Sequence, residues 1–244
     1  MKRNILYKII ASVSAVSLLS LAGCSQAEES SGVKSTADAP QTIESTTENN
    51  TEATEKTDSE VPGKGNNILI AYFTAAENSG VDAASSASYS NVNGEAKGRI
   101  RALADMIQVE TGGELFSIQT SVVYPSDGGE LIDYADQEQS DNDRPELTSH
   151  IEKLDAYDTI FVGYPNWWYD MPQAMYSFFD EYDFSGKTII PFNSHNGSRF
   201  SDTIETIQEL EPNATVITDA FTVNERDVPD AASDIAEWID GLGY

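Results

Sequence analysis

Three runs of apolar, largely β-branched residues constrain this chain more than any other feature. Asn67-Ile-Leu-Ile-Ala-Tyr-Phe73, Ile160-Phe-Val162 and Lys187-Thr-Ile-Ile-Pro-Phe192 are continuous rather than alternating. A strand buried on both faces reads this way, whereas a strand with one wet face alternates polar and apolar residues. Burial on both faces requires helices above and below the sheet, and the intervening sequence supplies them. The spacing of Ile100, Leu103 and Ile107 predicts a helix over about 97–109, closed by Thr111-Gly-Gly113. A helix opening at Pro145 carries Leu147, Ile151 and Leu154. Another, after Pro172, carries Ala174, Met175, Phe178 and Phe179, a pattern that is far more often core than ligand contact. Asp202-Thr-Ile-Glu205 resembles a capping box before a helix with Ile204, Ile207 and Leu210. A closing helix over 230–242 turns Ile235, Trp238 and Ile239 inward. Glu114–Gln119 and Ala214–Thr218 complete the strands. Residues 80–95, rich in Ser, Ala and Asn, read as an inserted loop, and 122–142 as an acidic loop with a short helical stretch near Leu131. The expected fold is α/β: a doubly wound, five-stranded parallel sheet of order 2-1-3-4-5 with helices on both faces.

In such a sheet, ligands sit outside the carboxyl ends of the strands, at the switch point between the first and third. The loops Thr74–Ser79, Tyr164–Met171 and Asn193–Ser198 therefore meet on one rim. The second loop gathers Trp167, Trp168 and Tyr169. Aromatic rings there form either a platform for a flat conjugated ligand or a plug for the top of the domain. His195 is the one histidine on the rim, while His150 falls in a predicted helix and reads as surface. Hydrolysis by Ser194 and His195 is disfavoured, because adjacent loop residues rarely aim at each other and no third member is present. Two distant histidines and a single cysteine make no metal-ligand cluster.

The amino-terminal residues describe export. Lys2, Arg3 and Lys8 precede an apolar stretch from Ile9 to Leu21 that is too short to span a bilayer, and small residues follow. Leu21-Ala-Gly-Cys24 resembles the lipobox of bacterial lipoproteins, which implies cleavage after residue 23 and lipid on Cys24; a plain signal peptide is the alternative. Residues 24–65, rich in Ser, Thr, Glu and Asn, cannot bury enough surface to offset their ordering entropy, so they read as a disordered acidic tether. A flexible chain of that length spans roughly 35 Å. The ordered domain is expected over 66–244. With Cys24 as the only cysteine, no internal disulfide can brace it, and its stability must come from its core. Removing the three leader cations takes the formal charge from −27 to −30. That excludes nucleic acid and leaves the lipid as the only membrane attachment.

Ile-Ala-Tyr-Phe-Thr at 70–74, Gly-Tyr-Pro-Asn-Trp-Trp at 163–168, and Asp183-Phe-Ser-Gly-Lys-Thr-Ile-Ile-Pro-Phe192 followed by His195-x-Gly-Ser198 carry a family signature. Over 67–244 the chain resembles the flavodoxin-like family, and most of all its bacterial subgroup with a Gly-Tyr-Pro-x-Trp-Trp loop. The resemblance implies FMN held without covalent attachment, and electron transfer or reduction of quinones and nitro compounds. It places the flavin phosphate at Thr74, Asn78 and Ser79, where backbone N–H groups and hydroxyls can hold an anion. It places the ring against Tyr164, Pro165, Asn166 and one of Trp167 and Trp168, with Ser194, His195, Asn196, Gly197 and Ser198 on the other side. His195 then donates to the N1/C2-carbonyl edge, or merely orders its loop. Two positions depart from the family. Glu77 stands where Gly is common, and a carboxylate beside a phosphate is unfavourable unless it points away; hydroxyls of the insert could then supply contacts. Arg199 also replaces a common Gly, and either offsets phosphate charge or forms a surface ion pair.

The resulting reading is an exported, lipid-anchored FMN protein of extracytoplasmic electron transfer. Its partner is a redox protein with a basic patch or a small quinone-like acceptor. An FMN-dependent quinone or NAD(P)H oxidoreductase and a flavin-free binding module are the alternatives. Each carboxylate about 10 Å from a reduced, charged ring costs roughly 0.4 kcal/mol in water before screening. The bound-flavin potential is therefore expected below that of free FMN; spectroelectrochemical titration giving a higher value would contradict this.

Overall fold

The computed structural model describes residues 67–244. The leader, Cys24 and the tether over 24–65 lie outside the described residues. The sheet is built on β1 (Ile68–Tyr72), whose five residues are all buried. It pairs on one side with β4 (Glu114–Ser117) and on the other with β5 (Thr159–Pro165). Next to β5 lies β6 (Thr188–His195), flanked by the two-residue β7 (Thr215–Val216) and, further along, by β8 (Phe221–Asn224). All these pairings are parallel, and the order β4-β1-β5-β6-β7 is the expected switch-point order.

Alternation along β1 divides the interior into two cores. Leu69, Ala71 and Phe73 face one cluster, which takes Ala174, Met175 and Phe178 from α3 (Gln173–Glu181), Ile207 from α4 (Thr203–Leu210) and Leu131 from α2 (Gly128–Asp141). Ile68, Ile70 and Tyr72 face the other, which takes Ile100, Leu103 and Ile107 from α1 (Arg99–Thr111) and Ile235 and Ile239 from α5 (Ala232–Leu242). Each fully buried Ile, Leu or Phe contributes about 1.5–3 kcal/mol. Helix α1 ends where expected, with Gly112 in the left-handed conformation at φ 72° and its N–H on the Gln108 carbonyl.

Five expectations are corrected. The insert is not a simple loop: β2 (Tyr89–Val92) and β3 (Glu95–Gly98) form an antiparallel hairpin about Asn93-Gly94, both at positive φ. Lys97 therefore belongs to a strand, and α1 starts at Arg99. The helical stretch near Leu131 is a full helix of 14 residues, started by Asp127, whose side chain accepts from the N–H groups of Gly129 and Glu130. No α-helix opens at Pro145. Residues 146–148 run extended against 119–121, with Ser121 N–H on the Glu146 carbonyl and Thr148 N–H on the Gln119 carbonyl, both at 2.8 Å. Leu147, Ile151 and Leu154 still reach the core, which mimics helical spacing. Asp202 caps α4 without a side-chain hydrogen bond, so the capping box is absent. The fifth sheet position is divided between β7 and β8, which makes a six-stranded sheet.

Gly163 sits beside Phe192 in the parallel register, and a Cβ there would lie 2.2 Å from the Phe192 ring. Gly163→Ala must displace a ring that is itself fully buried. The expected loss is about 1–3 kcal/mol of unfolding free energy, read by urea denaturation; an unchanged midpoint would contradict the packing described.

Candidate functional site

Strand β1 ends at Tyr72, beside Gly163 and Phe192, while β5 and β6 stay paired as far as Pro165 and Ser194. Beyond these ends lies a cavity of about 350 Å³, within the range of small-ligand sites. Pro165 to Trp168 form one wall and Ser194 to Asn196 another. Leu131, Ile132 and Ala135 of α2 supply an apolar face. Ala87 and Ser88 of the insert, Arg99 at the start of α1, and Glu225 close the remaining side.

The two tryptophans have different roles. Trp167 packs edge-on to Phe73 at 5.8 Å and lies 5.7 Å from Tyr124, so it belongs to the core as well as the wall. Its N–H and carbonyl bond those of Asp170 at 2.8 and 2.9 Å, closing a two-residue turn. Trp168 and Tyr169 occupy the centre of that turn at φ 49° and 69°. These left-handed values, which favour Asn-Gly, cost a side chain about 1–2 kcal/mol each. Trp168 is 48% exposed and is steadied by its indole N–H on the Ile132 carbonyl at 3.0 Å. Trp168 is the ring free to stack on a ligand.

Of the predicted residues, Pro165, Asn166, Trp167, Trp168, Ser194, His195 and Asn196 line the cavity. Tyr164 does not: it is fully buried, and its hydroxyl meets Thr203 Oγ1 at 2.8 Å. Gly197 and Ser198 line a second, shallower cavity on the far side of Trp168. Asn78 and Ser79 are buried and outside the cavity. Asn78 Nδ2 donates to the carbonyls of Thr74 and Ile118, both at 3.1 Å, and its Oδ1 accepts from Thr120 N–H at 2.9 Å. Its side chain thus ties the end of β1 to the segment after β4. Ser79 Oγ donates to the Ala76 carbonyl. The 74–79 segment is a 3₁₀ turn over Ala75–Asn78, spent on internal bonds.

Thr74 also lies outside the cavity lining, but its hydroxyl differs from the side chains of Asn78 and Ser79 in bonding. It is fully buried and its Oγ1 has no partner among the described residues. Gly98, which caps α1, lies so close that a Cβ there would fall 2.6 Å from Thr74 Oγ1. Glu77 turns away from this point: its carboxylate accepts from Tyr72 OH at 3.1 Å and from Ser117 Oγ, and pairs with Arg101 Nη1 at 3.4 Å. Burial, then the Glu77 charge, pushes the Tyr72 phenol up to about 12, so it stays a donor.

The sequence reading missed Ser88, Arg99 and Glu225. Arg99 Nη1 pairs with Glu225 at 3.3 Å, which offsets that carboxylate's charge at the cavity, and Arg99 Nε is buried without a partner. A cation opening a helix in so acidic a chain was the available signal. His195 accepts the Gly197 N–H on Nδ1 at 2.8 Å, which leaves Nε2–H as its free donor. Burial, then nearby Arg199, lowers its pKa below the usual imidazole value, so the ring is neutral at neutral pH. Arg199 is exposed, and His150 pairs at the surface with Glu181 at 2.7 Å. Among the described residues, no group of three or more His, Cys, Asp or Glu could hold a metal, and no helix is long and apolar enough to cross a membrane.

Residues 67–242 match the family model described as Flavodoxin. Among solved structures, the chain is similar to a candidate flavoprotein from Bacteroides uniformis ATCC 8492, with 26% identity and a TM-score of 0.55 over 72% of this chain and 99% of that one. A candidate flavoprotein from Bacteroides eggerthii DSM 20697 gives 24% identity and a TM-score of 0.54 over 74% and 99%. A flavoprotein in complex with FMN from Lactobacillus acidophilus NCFM gives 20% and 0.47 over 69% and 99%. No curated protein matches the chain.

The division between the tryptophans is testable without a ligand. Trp167→Ala is expected to cost about 2–4 kcal/mol, as a core truncation. Trp168→Ala should cost under about 1 kcal/mol, as a surface change. Urea denaturation of the flavin-free protein reads both, and equal losses would contradict the assignment.

Proposed function

The chain belongs to the flavodoxin family, and from that premise we propose that the rim cavity binds FMN for electron transfer outside the cytoplasm. FMN, when bound, takes up and releases one or two electrons. The protein's own residues hold and orient it. The observation that carries the reading is a pair of buried polar atoms without partners at the start of α1, Thr74 Oγ1 and Arg99 Nε. They flank Gly98, whose missing side chain lets the Thr74 hydroxyl approach the start of α1, while the Arg99 backbone N–H is already bonded to the Ser88 carbonyl at 3.0 Å. A phosphate needs donors and a positive charge, and a helix N-terminus with a guanidinium offers both. Ser88, on the insert, adds a hydroxyl beside them.

The anion site is therefore assigned to Thr74, Ser88 and Arg99. Asn78 and Ser79 serve it only by fixing the turn beneath. Glu77, the strongest argument for a flavin-free module, is directed into its own network with Tyr72, Ser117 and Arg101, and so does not oppose a phosphate at the helix start. The apolar face of α2 and the Trp168 ring receive the conjugated system. The neutral His195 presents Nε2–H as a fixed donor to its polar edge. Localisation is part of the same proposal: cleavage before Cys24 and lipidation would anchor the domain through the 24–65 tether. The acidic domain would then exchange electrons with a basic partner protein or an uncharged quinone.

FMN titration of the protein lacking its leader, read by flavin fluorescence, tests the cofactor. Arg99→Ala is expected to weaken FMN about 10- to 100-fold, the loss of a charge-assisted contact. Glu77→Gln should leave affinity within about threefold. Failure of the wild-type protein to bind FMN, or an Arg99→Ala variant that binds it unchanged, would refute the assignment.

A further inference from the structure

Arg99 and Glu225 meet in the wall of the rim cavity, and both line it. Arg99 opens α1, and Glu225 directly follows β8. Nη1 of the guanidinium lies 3.3 Å from the Glu225 carboxylate, and among the described residues neither group makes another ion pair. From this contact we propose that Glu225 is an internal stand-in for the ligand's phosphate, which holds Arg99 and must release it when a phosphomonoester enters. Glu225 thereby sets how strongly the cavity prefers a phosphorylated ligand to the same ligand without its phosphate. The inference rests on the anion reading above and adds to it a residue that opposes binding.

Three observations carry it. The first is position. A carboxylate that only steadied the arginine from behind would be enclosed by protein, whereas this one lies on the ligand's side, 32% exposed against 24% for its partner. An anion drawn to Arg99 therefore meets a neighbour of like charge. The second is how incompletely the pair satisfies the guanidinium. Arg99 Nε is buried without a partner, so the carboxylate leaves a donor unused. A phosphomonoester carries nearly two negative charges and three acceptor oxygens, and can engage two edges of the guanidinium at once. It is the better partner, and the exchange runs in its favour. The third is the backbone. Arg99 N–H is bonded to the Ser88 carbonyl at 3.0 Å, and Glu225 N–H to the His195 carbonyl at 2.8 Å. Both main chains are fixed, so the contact opens by rotation of side chains alone. The neighbouring cation, Arg226, bonds Asn224 Oδ1 through Nε at 3.1 Å and leaves Glu225 to Arg99.

The test titrates FMN and riboflavin into the flavin-free protein, read by flavin fluorescence, with a thermal midpoint for every variant. Glu225→Gln is expected to tighten FMN about tenfold, because an amide of the same shape competes weakly for a guanidinium. Its midpoint should stay within a few degrees of the wild type, since a partly exposed pair contributes little to folding. Riboflavin, which has the same ring and no phosphate, should not share the gain. In an Arg99→Ala background the same substitution should change FMN affinity by less than about twofold, because no cation is left to release. Unchanged or weaker FMN binding by Glu225→Gln would overturn the proposal, the weaker case making Glu225 a residue that positions Arg99. An equal gain for riboflavin, or a gain that survives in the Arg99→Ala background, would also overturn it, since either marks the general field of an acidic surface. If the wild type binds neither flavin, the flavin reading falls and inorganic phosphate, read by calorimetry, takes the place of FMN. The same gain in Glu225→Gln would then keep the role of this contact, and no gain would remove it.

Discussion

The register of three parallel strands decides which side chains can meet at the rim. Tyr72, Gly163 and Phe192 lie side by side across β1, β5 and β6, and Pro165 lies beside Ser194, so the segments that leave these strands emerge on one rim. That register is itself held by packing, since Gly163 carries no side chain and the Phe192 ring occupies the space. From it follow the turn carrying Thr74, the aromatic turn after Pro165 and the end of β6 with Ser194 and His195. Helices on both faces then fix the sheet, because each face of β1 is buried in its own core.

Electrostatics decides how the side of the rim next to α1 is arranged. A half-buried carboxylate needs paired donors, and Glu77 has them in Tyr72, Ser117 and Arg101. The 74–79 turn is thereby committed to internal bonds. The insert takes over the side facing the cavity: its hairpin returns the chain to Gly98, directly against Thr74, and sets Arg99 in the cavity wall. The same logic governs α2, whose inner face carries Glu138. Burial raises the pKa of this carboxyl, and it accepts from Tyr124 OH at 2.8 Å. Tyr124 in turn packs against Trp167, so the wall of the cavity is continuous with the core.

Much of this was legible in the sequence, for physical reasons. Short, continuous apolar runs such as Ile68–Tyr72, rich in β-branched residues, read as strands buried on both faces, and these indicated the fold class and the meeting of three loops. The aromatic loop and His195 were found because they sit next to those runs. What was not legible depended on long-range partners. The Asn93-Gly94 turn signal was present, but the insert's composition masked it, so β2 and β3 were missed. Leu147, Ile151 and Leu154 are spaced like a helix, yet Leu147 lies on an extended segment paired with 119–121 and Leu154 opens a separate 3₁₀ turn. Nothing local distinguishes Asn78 as a clamp from Asn78 as a ligand, because its partners Ile118 and Thr120 lie about 40 residues away. Arg99 was overlooked for the same reason: the insert that brings it to the cavity has no apolar period to reveal its path.

The central claim is that an anion is held at the start of α1, not in the turn after β1. Diffraction from crystals of residues 24–244 grown with FMN tests it most directly. The account predicts phosphate density within hydrogen-bond reach of Thr74 Oγ1 and Arg99, with the conjugated ring beside Trp168. Phosphate seated on Asn78 and Ser79 with Glu77 displaced, or a rim that stays empty at saturating FMN, would contradict it.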